Sequence, residues 1–339
     1  GRGTPLPGPD LAGGGRCTSL PSLGGPRGDL NGRTVRCYGP LVSASNGGSF
    51  SRGEDDFSPN AVLTWQPSDE HMLYVSYSEG FKGGGYQLWP VGGGALTAPE
   101  IEFDGETAES FEAGGKHTLL ASTLQVNWSA WSTEVQGLQV AAFDPVITAQ
   151  NIVNAGQTTS EGVEGDFIWL PDASHRISAA FAYTDATYDS YEGANCYPGQ
   201  TPEMGCVGRQ QSLTGQSVSY APEWQYIFSV DGAYSFAANM EWGWRAAYNW
   251  RDDQFIGTTN HPTADVQEAY GKFNASLFLA SADGKWRVSL IGTNLNDENV
   301  GTGANHGRMM NLLPEQGVTP AIPTLVFMAP GRQVAIQGR

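Results

Sequence analysis

The stretch from Met240 to Arg251, M-E-W-G-W-R-A-A-Y-N-W-R, constrains the fold more than any other part of the chain. Every second residue gives Met240, Trp242, Trp244, Ala246, Tyr248 and Trp250 on one side. Glu241, Gly243, Arg245, Ala247, Asn249 and Arg251 fall on the other. Successive side chains of a strand point to opposite faces, so this is a two-faced β-strand. A soluble sandwich would turn such an apolar face onto a core. Here the face is heavy in Trp and Tyr, whose rings sit in an apolar zone while the N–H or O–H stays wet, the preference of a membrane–water boundary. The pattern also lasts for the roughly 9–11 residues that a tilted strand needs to cross a bilayer. The stretch reads as one strand of an outer-membrane barrel, with lipid outside and water inside.

Similar alternation recurs along the chain. It is found from Ala61 to Trp65, Met72 to Ser78, Ser110 to Lys116, Leu124 to Val140 (at first), Val163 to Trp169 and Ile177 to Tyr183. It returns from Trp224 to Val230, Phe273 to Leu279, Trp286 to Ile291 and Val334 to Ile336. With the opening stretch this makes about eleven strands. Short turns such as Pro67-Ser68-Asp69 and Ala282-Asp283-Gly284 alternate with long loops, the pattern of short periplasmic turns and long extracellular loops. The expected fold is therefore all-β, a transmembrane antiparallel up-and-down β-barrel. An odd count is awkward, because single-chain bacterial barrels have even numbers. Either a further strand lies in residues 1–58, or the chain is part of a larger barrel. Residues 1–58, rich in Gly and Pro, read as an extracellular loop region, and residues 59–339 as the barrel portion.

Composition narrows the partners. Charged residues are 16% of the chain, below the roughly 25% of soluble domains. A net charge of −17 leaves no basic groove to offset phosphate repulsion, which excludes nucleic acid as a partner. No apolar run approaches the length of a transmembrane helix, which leaves barrels untouched as a class. Four cysteines allow three connectivities, and the sequence does not choose among them. Cys17 with Cys37 and Cys196 with Cys206 form two local pairs, neither with C-x-x-C spacing nor beside a His cluster. They read as loop-closing disulfides of an oxidising compartment rather than a zinc site.

Several motifs carry a family resemblance. The segment Tyr74-Val75-Ser76-Tyr77-Ser78-Glu79-Gly80-Phe81-Lys82-Gly83-Gly84-Gly85-Tyr86 resembles a signature of TonB-dependent outer-membrane receptors. Glu109-Ser110-Phe111-Glu112-Ala113-Gly114-Gly115-Lys116 follows, then Asn154-Ala155-Gly156 with Glu161-Gly162-Val163-Glu164. Tyr183-Thr184-Asp185-Ala186, Ala221-Pro222-Glu223-Trp224 and Asn294-Leu295-Asn296-Asp297-Glu298 continue the match in order. The resemblance implies a receptor of about 22 strands with a plug domain inside the barrel, of which this sequence is the C-terminal half. It implies energy-coupled uptake of a scarce nutrient, by default a ferric siderophore. The partners implied are outer-membrane lipid, the missing plug and N-terminal barrel half, and the inner-membrane TonB complex. The plug and its TonB-contacting box are not in the sequence. The chain also stops at Gly338-Arg339 rather than on an aromatic residue.

Candidate sites follow from these faces. Tyr86, Trp89 and Phe103 lie in a long outer loop where aromatic rings could grip a ligand. Arg245, Asn249 and Arg251 point into the lumen, toward the plug or the ligand path. Trp128, Trp242, Trp244 and Trp250 face lipid. Gly83-Gly84-Gly85 lacks the G-K-[ST] ending of a phosphate loop and reads as a bend where a strand leaves the membrane. The five His residues are scattered over turns and loops, and no catalytic Ser or zincin motif occurs. The pairs Asp55-Asp56 and Asp252-Asp253 read as solvated strand ends rather than calcium ligands. No metal, cofactor or enzymatic activity is expected. The competing readings are a half barrel packed in a multi-chain assembly and a soluble β-rich enzyme such as a glycosidase.

Overall fold

A computed structural model describes residues 16–19, 35–38, 52–86, 102–144, 149–197, 199–237, 239–306 and 324–339. Its main feature is one antiparallel sheet of 11 strands. In chain order they are β1 (Asn60–Ser68), β2 (His71–Lys82), β3 (Glu106–Leu119), β4 (Leu124–Gln136), β5 (Gln157–Trp169) and β6 (His175–Ser190). Then come β7 (Trp224–Phe236), β8 (Met240–Arg251), β9 (Tyr270–Ser281), β10 (Arg287–Thr293) and β11 (Gln333–Gly338). Each strand pairs with its sequence neighbours, so the topology is a pure meander. β8 has 12 residues; at about 3.3 Å per residue and a tilt near 40°, such a strand covers about 30 Å of height, enough for a hydrocarbon core.

The register carries one apolar face across the whole sheet. Trp65 lies opposite Leu73, then Gly115, Trp128, Gly165, Phe181, Tyr226, Trp250 and Gly271 follow in one row. Large rings alternate with glycines along part of this row because the rings need the space. A Cβ on Gly115 would come within 2.7 Å of Trp128 Nε1. Two levels of aromatic contact bound the face. Tyr183 meets Trp224 and Tyr226 stacks on Trp250 toward one end, while Tyr234 stacks on Trp242 at the other. From Trp224 to Tyr234 the strand climbs about 25 Å at the same tilt, the height of a barrel's apolar band. Between these levels the face carries no Asp, Glu, Lys or Arg. Carboxylates appear only beyond the outer level, where Glu79, Glu109 and Glu134 stand directly opposite one another.

Buried side chains are few in the wall itself. Leu63 is 71% and Ile336 78% exposed, and a continuous apolar surface of this extent has no stable arrangement in water. Its solvent is lipid, as the alternation predicts. The buried hydrophobic cluster sits instead at the outer rim, where Tyr188 at the end of β6 packs with Ala155, Tyr191, Ala194 and Leu213 of the long connections.

The connections differ from the sequence reading. The strand starting at Leu124 does not run to Val140. It breaks at Gly137, whose φ of +68 is left-handed, and the chain resumes as Gln139–Asp144 paired with Ala149–Asn154. All five long connections carry a hairpin of this kind. The others are Gly85–Tyr86 with Glu102–Phe103, Ala194–Asn195 with Gln210–Gln211, Gln254–Phe255 with Val266–Gln267, and Gly301–His306 with Thr324–Met328. Within residues 1–58, Arg16–Ser19 pairs with Val35–Tyr38 and sets Cys17 opposite Cys37. The side chains of that pair lie outside the described residues. Wall strands also extend past the segments read from alternation, as in Glu106–Leu119 against Ser110 to Lys116. Their ends leave the hydrocarbon, so the ladder continues where the apolar period stops.

Candidate functional site

Two surfaces remain for recognition, the polar face of the wall and the cap of outer connections. The polar face is set by the residues between those of the apolar face. One row runs through Ser129, Glu164, Ala182, Gln225, Arg251 and Tyr270. The next runs through Asn127, Asp166, Ala180, Ile227, Asn249 and Lys272. Arg245, Asn249 and Arg251 all lie on this face, as their alternation requires. Ser129 donates to Glu164 at 3.2 Å, and Asn127 donates to Asp166 at 3.0 Å. Arg251 donates to Gln225 at 3.3 Å, and Arg245 reaches Ser229 at 3.4 Å. The Asn249 carbonyl oxygen is buried with no partner. A groove of about 450 Å³ opens between Glu164 and the Arg251–Lys272 side, floored by Ala180 and Ala182.

In the cap, the predicted aromatics Tyr86 and Phe103 meet in one hairpin, with Phe103 lying over Gly85. Trp89 lies outside the described residues. The hairpin is clamped by Arg52, which donates to Glu54, to Glu102 at 2.8 Å, to the Phe103 carbonyl at 3.3 Å and to Asp104 at 3.2 Å. The hydrogen bond to Glu54, then those to Asp104 and Glu102, hold the guanidinium proton more firmly than usual despite partial desolvation. Nothing in the sequence around Arg52 marks it as a clamp, because its partners in the hairpin lie 50 to 52 residues away.

Side-chain amides tie the connections to one another. Asn154 accepts from the Asp104 N–H and donates to the carbonyls of Asp104 and Gly137. Gln211 donates to Asn195 and Thr259, both at 2.8 Å. Asp265 is fully buried and accepts from the Thr259 hydroxyl and the His261 N–H. Cys196 and Cys206 are joined in a disulfide, one of the two local pairs expected. Burial pushes the Tyr191 phenol up to about 12, with Tyr188 beside it contributing.

The histidines are less scattered than the sequence suggests. Register places His71 directly opposite His117, their Nδ1 atoms 3.0 Å apart, and Trp128 donates to the far nitrogen of His117. His175 sits between Asp172 and Tyr234. Both groups stand at the short-turn end of the apolar face. Among the described residues, no three or more His, Cys, Asp and Glu side chains gather as a metal site.

A family model described as TonB dependent receptor-like, beta-barrel, matches residues 29–295. The chain belongs to the TonB-dependent receptor family. Its apolar face is thus the lipid face of an outer-membrane barrel, and its long connections are extracellular. A probable TonB-dependent siderophore receptor, PiuA, of Acinetobacter baumannii is 24% identical over 173 residues, half of this chain and 22% of the relative. The ferric yersiniabactin uptake receptor FyuA from Yersinia pestis superposes with a TM-score of 0.63 at 16% identity, over 91% of this chain and 39% of that one. The solved PiuA receptor gives 0.55 at 19% identity, over 82% and 35%. At these identities the solved receptors show the barrel fold alone. The chain spans between about a fifth and two fifths of these receptors' lengths.

Proposed function

We propose that this chain is the C-terminal part of the wall of an outer-membrane receptor that takes up a ferric siderophore, coupled to the inner-membrane TonB complex. The observation carrying this reading is the family match over residues 29–295 on a sheet whose two faces suit lipid and water. The relative named as a siderophore receptor, PiuA, supplies the ligand class. The ligand is bound and passed on without a bond being broken. Tyr86, Trp89 and Phe103 are the proposed outer contacts for it.

The edges bear on the competing half-barrel assembly. β1 and β11 are the two edges of the sheet, and in an antiparallel meander the first and eleventh strands run the same way. A second copy rotated about the barrel axis would therefore meet these edges in parallel. Closing the barrel with antiparallel seams needs an odd number of further strands. This favours the remainder of one receptor over a pair of identical halves.

The test is uptake of radiolabelled iron from defined ferric chelates by cells carrying or lacking the gene, under iron limitation. Loss of uptake of one chelate on deletion, restored by the intact gene, is the expected outcome. Unchanged uptake of every chelate would sink the siderophore reading.

A further inference from the structure

Beyond Tyr183 the ladder of the wall opens. The pairing of β6 with β7 ends with Tyr183 opposite Trp224, while β6 runs on to Ser190. Residues 217–223 span the gap. Val218 donates to the Ala186 carbonyl at 2.9 Å and Thr184 to that of Glu223 at 2.8 Å, and on the far side Tyr220 donates to Phe255 at 2.8 Å. Between these anchors a cavity of about 280 Å³ remains, with Ala186 and Ala221 too small to fill it. Its polar lining is rich in acceptors, with Asp185, Glu223, Asp252 and Asp253 beside the hydroxyls of Thr184 and Ser217. No Lys, Arg or His lines it. Among the described residues, none of the four carboxylates forms an ion pair. The Gln254 carbonyl oxygen belongs to the same lining, is shut off from solvent and takes no hydrogen bond. Phe255 and Val266 add an apolar wall.

We propose that this cavity binds a primary alkylammonium group, with its N–H donors on Gln254 and the surrounding carboxylates and its aliphatic stem against Phe255 and Val266. An ammonium carries three donors and no acceptor, the complement of this lining. A buried acceptor left without a donor is costly, so the Gln254 oxygen favours an occupant that brings one. An apolar stem on an apolar wall with the charged head in polar surroundings is how such amines pack. A bare metal ion fits less well. Calcium takes six to eight oxygens around one point, and among the described residues no three His, Cys, Asp or Glu side chains converge in that way. The same ammonium chemistry is offered by a free linear diamine and by an amine arm of a ferric chelate. The proposal rests on the receptor reading only for placing this rim outside the cell.

Calorimetric titration of the receptor, solubilised intact from its own outer membrane, with putrescine tests it. Putrescine is expected to bind and its uncharged diol counterpart not to. Glu223→Gln and Asp253→Asn, both at exposed positions, should each weaken binding roughly two- to fivefold. Gln254→Leu, which removes the buried acceptor, should weaken it about tenfold. Glu109→Gln alters a carboxylate of the outer rim outside the cavity and should leave binding unchanged. Folded gel mobility is checked for every variant. Absence of binding would overturn the proposal, and so would an equal loss in Glu109→Gln, which would mean diffuse attraction to an acidic rim. Displacement of putrescine by an equal concentration of calcium would overturn it in favour of an inorganic ion. Iron uptake by cells separates the two sources of the amine. Inhibition by putrescine of the uptake of an amine-bearing chelate assigns the site to the cargo, and binding that leaves all uptake unchanged assigns it to a free amine. Putrescine binding by a receptor that takes up no chelate sinks the siderophore reading alone, and uptake without putrescine binding sinks this site alone.

Discussion

Trp250 and Arg251 are neighbours in sequence and stand on opposite sides of the wall. The Trp250 indole stacks on Tyr226 with ring centroids 5.2 Å apart, while the Arg251 guanidinium donates to Gln225 at 3.3 Å. One peptide unit thus separates a lipid contact from an aqueous one. A register slip of one residue would exchange the two, which is why the apolar pattern fixes register so strongly.

The same opposition predicts unequal costs in β8. Trp244→Arg places a charge on the lipid face, where the penalty is about 2–4 kcal/mol near the midplane, whereas Arg245→Trp alters a polar face that tolerates change. Refolding into bilayers, followed by the gel shift between folded and unfolded barrel, should show a lower folded fraction for Trp244→Arg. Equal fractions would mean the faces are reversed.

Gly162 lies opposite Trp131 on the polar face, and a Cβ there would run into the Trp131 indole and the Tyr183 carbonyl. Because one obstacle is backbone, Gly162→Val should destabilise the barrel by about 1–3 kcal/mol, the usual cost of overpacking. The temperature at which the detergent-solubilised receptor loses its folded gel mobility measures this. A shift no larger than that of Gly53→Val, where the added atom meets nothing, would refute the contact.

The extracellular core should respond to alkali. Burial raises Tyr191 to about 12 from an ordinary value of 10.0, so the folded cap prefers the neutral phenol. That stability is fully present below about pH 10 and is lost as pH rises through about 12. Phenolate absorbance should show Tyr191 ionising after most other tyrosines, with cap loosening in the same window. Replacement by Phe should lower the amplitude of that late step by one phenol; an unchanged amplitude in Tyr191→Phe would mean that Tyr191 ionises with the ordinary tyrosines.

The disulfide Cys196–Cys206 closes a short loop around the 3-10 turn Pro202–Met204. Losing it should cost this loop about 2–3 kcal/mol in the chain-entropy account. Replacing both cysteines by Ser is expected to speed proteolytic nicking between positions 196 and 206 on intact cells. Barrel gel mobility should stay unchanged, because the wall ladder does not include these residues. Equal nicking rates would show that Gln200 and Gln211, bonded at 2.9 Å, already hold the loop.

The sequence by itself determined the wall. Alternation along Met240–Arg251 and its counterparts gave the strands, their count and their two faces, because a strand between lipid and water must repeat its polarity every second residue. It also placed Arg245, Asn249 and Arg251 together on one side. Only the tertiary structure decided what lies across strands and within the cap. Hairpins of two to six residues are too short to show a period, so the sequence rendered four as plain loops and merged the start of the fifth, Gln139–Val140, into the preceding wall strand. The pairing of His71 with His117, the hold of Arg52 on Glu102 and the burial of Asp265 depend on contacts between distant segments. The same holds for the groove of the polar face, since Glu164 and Arg251 become its opposite sides only when register aligns β5 with β8. Periodicity is a local property that one strand carries alone, and a binding surface is made by several strands together.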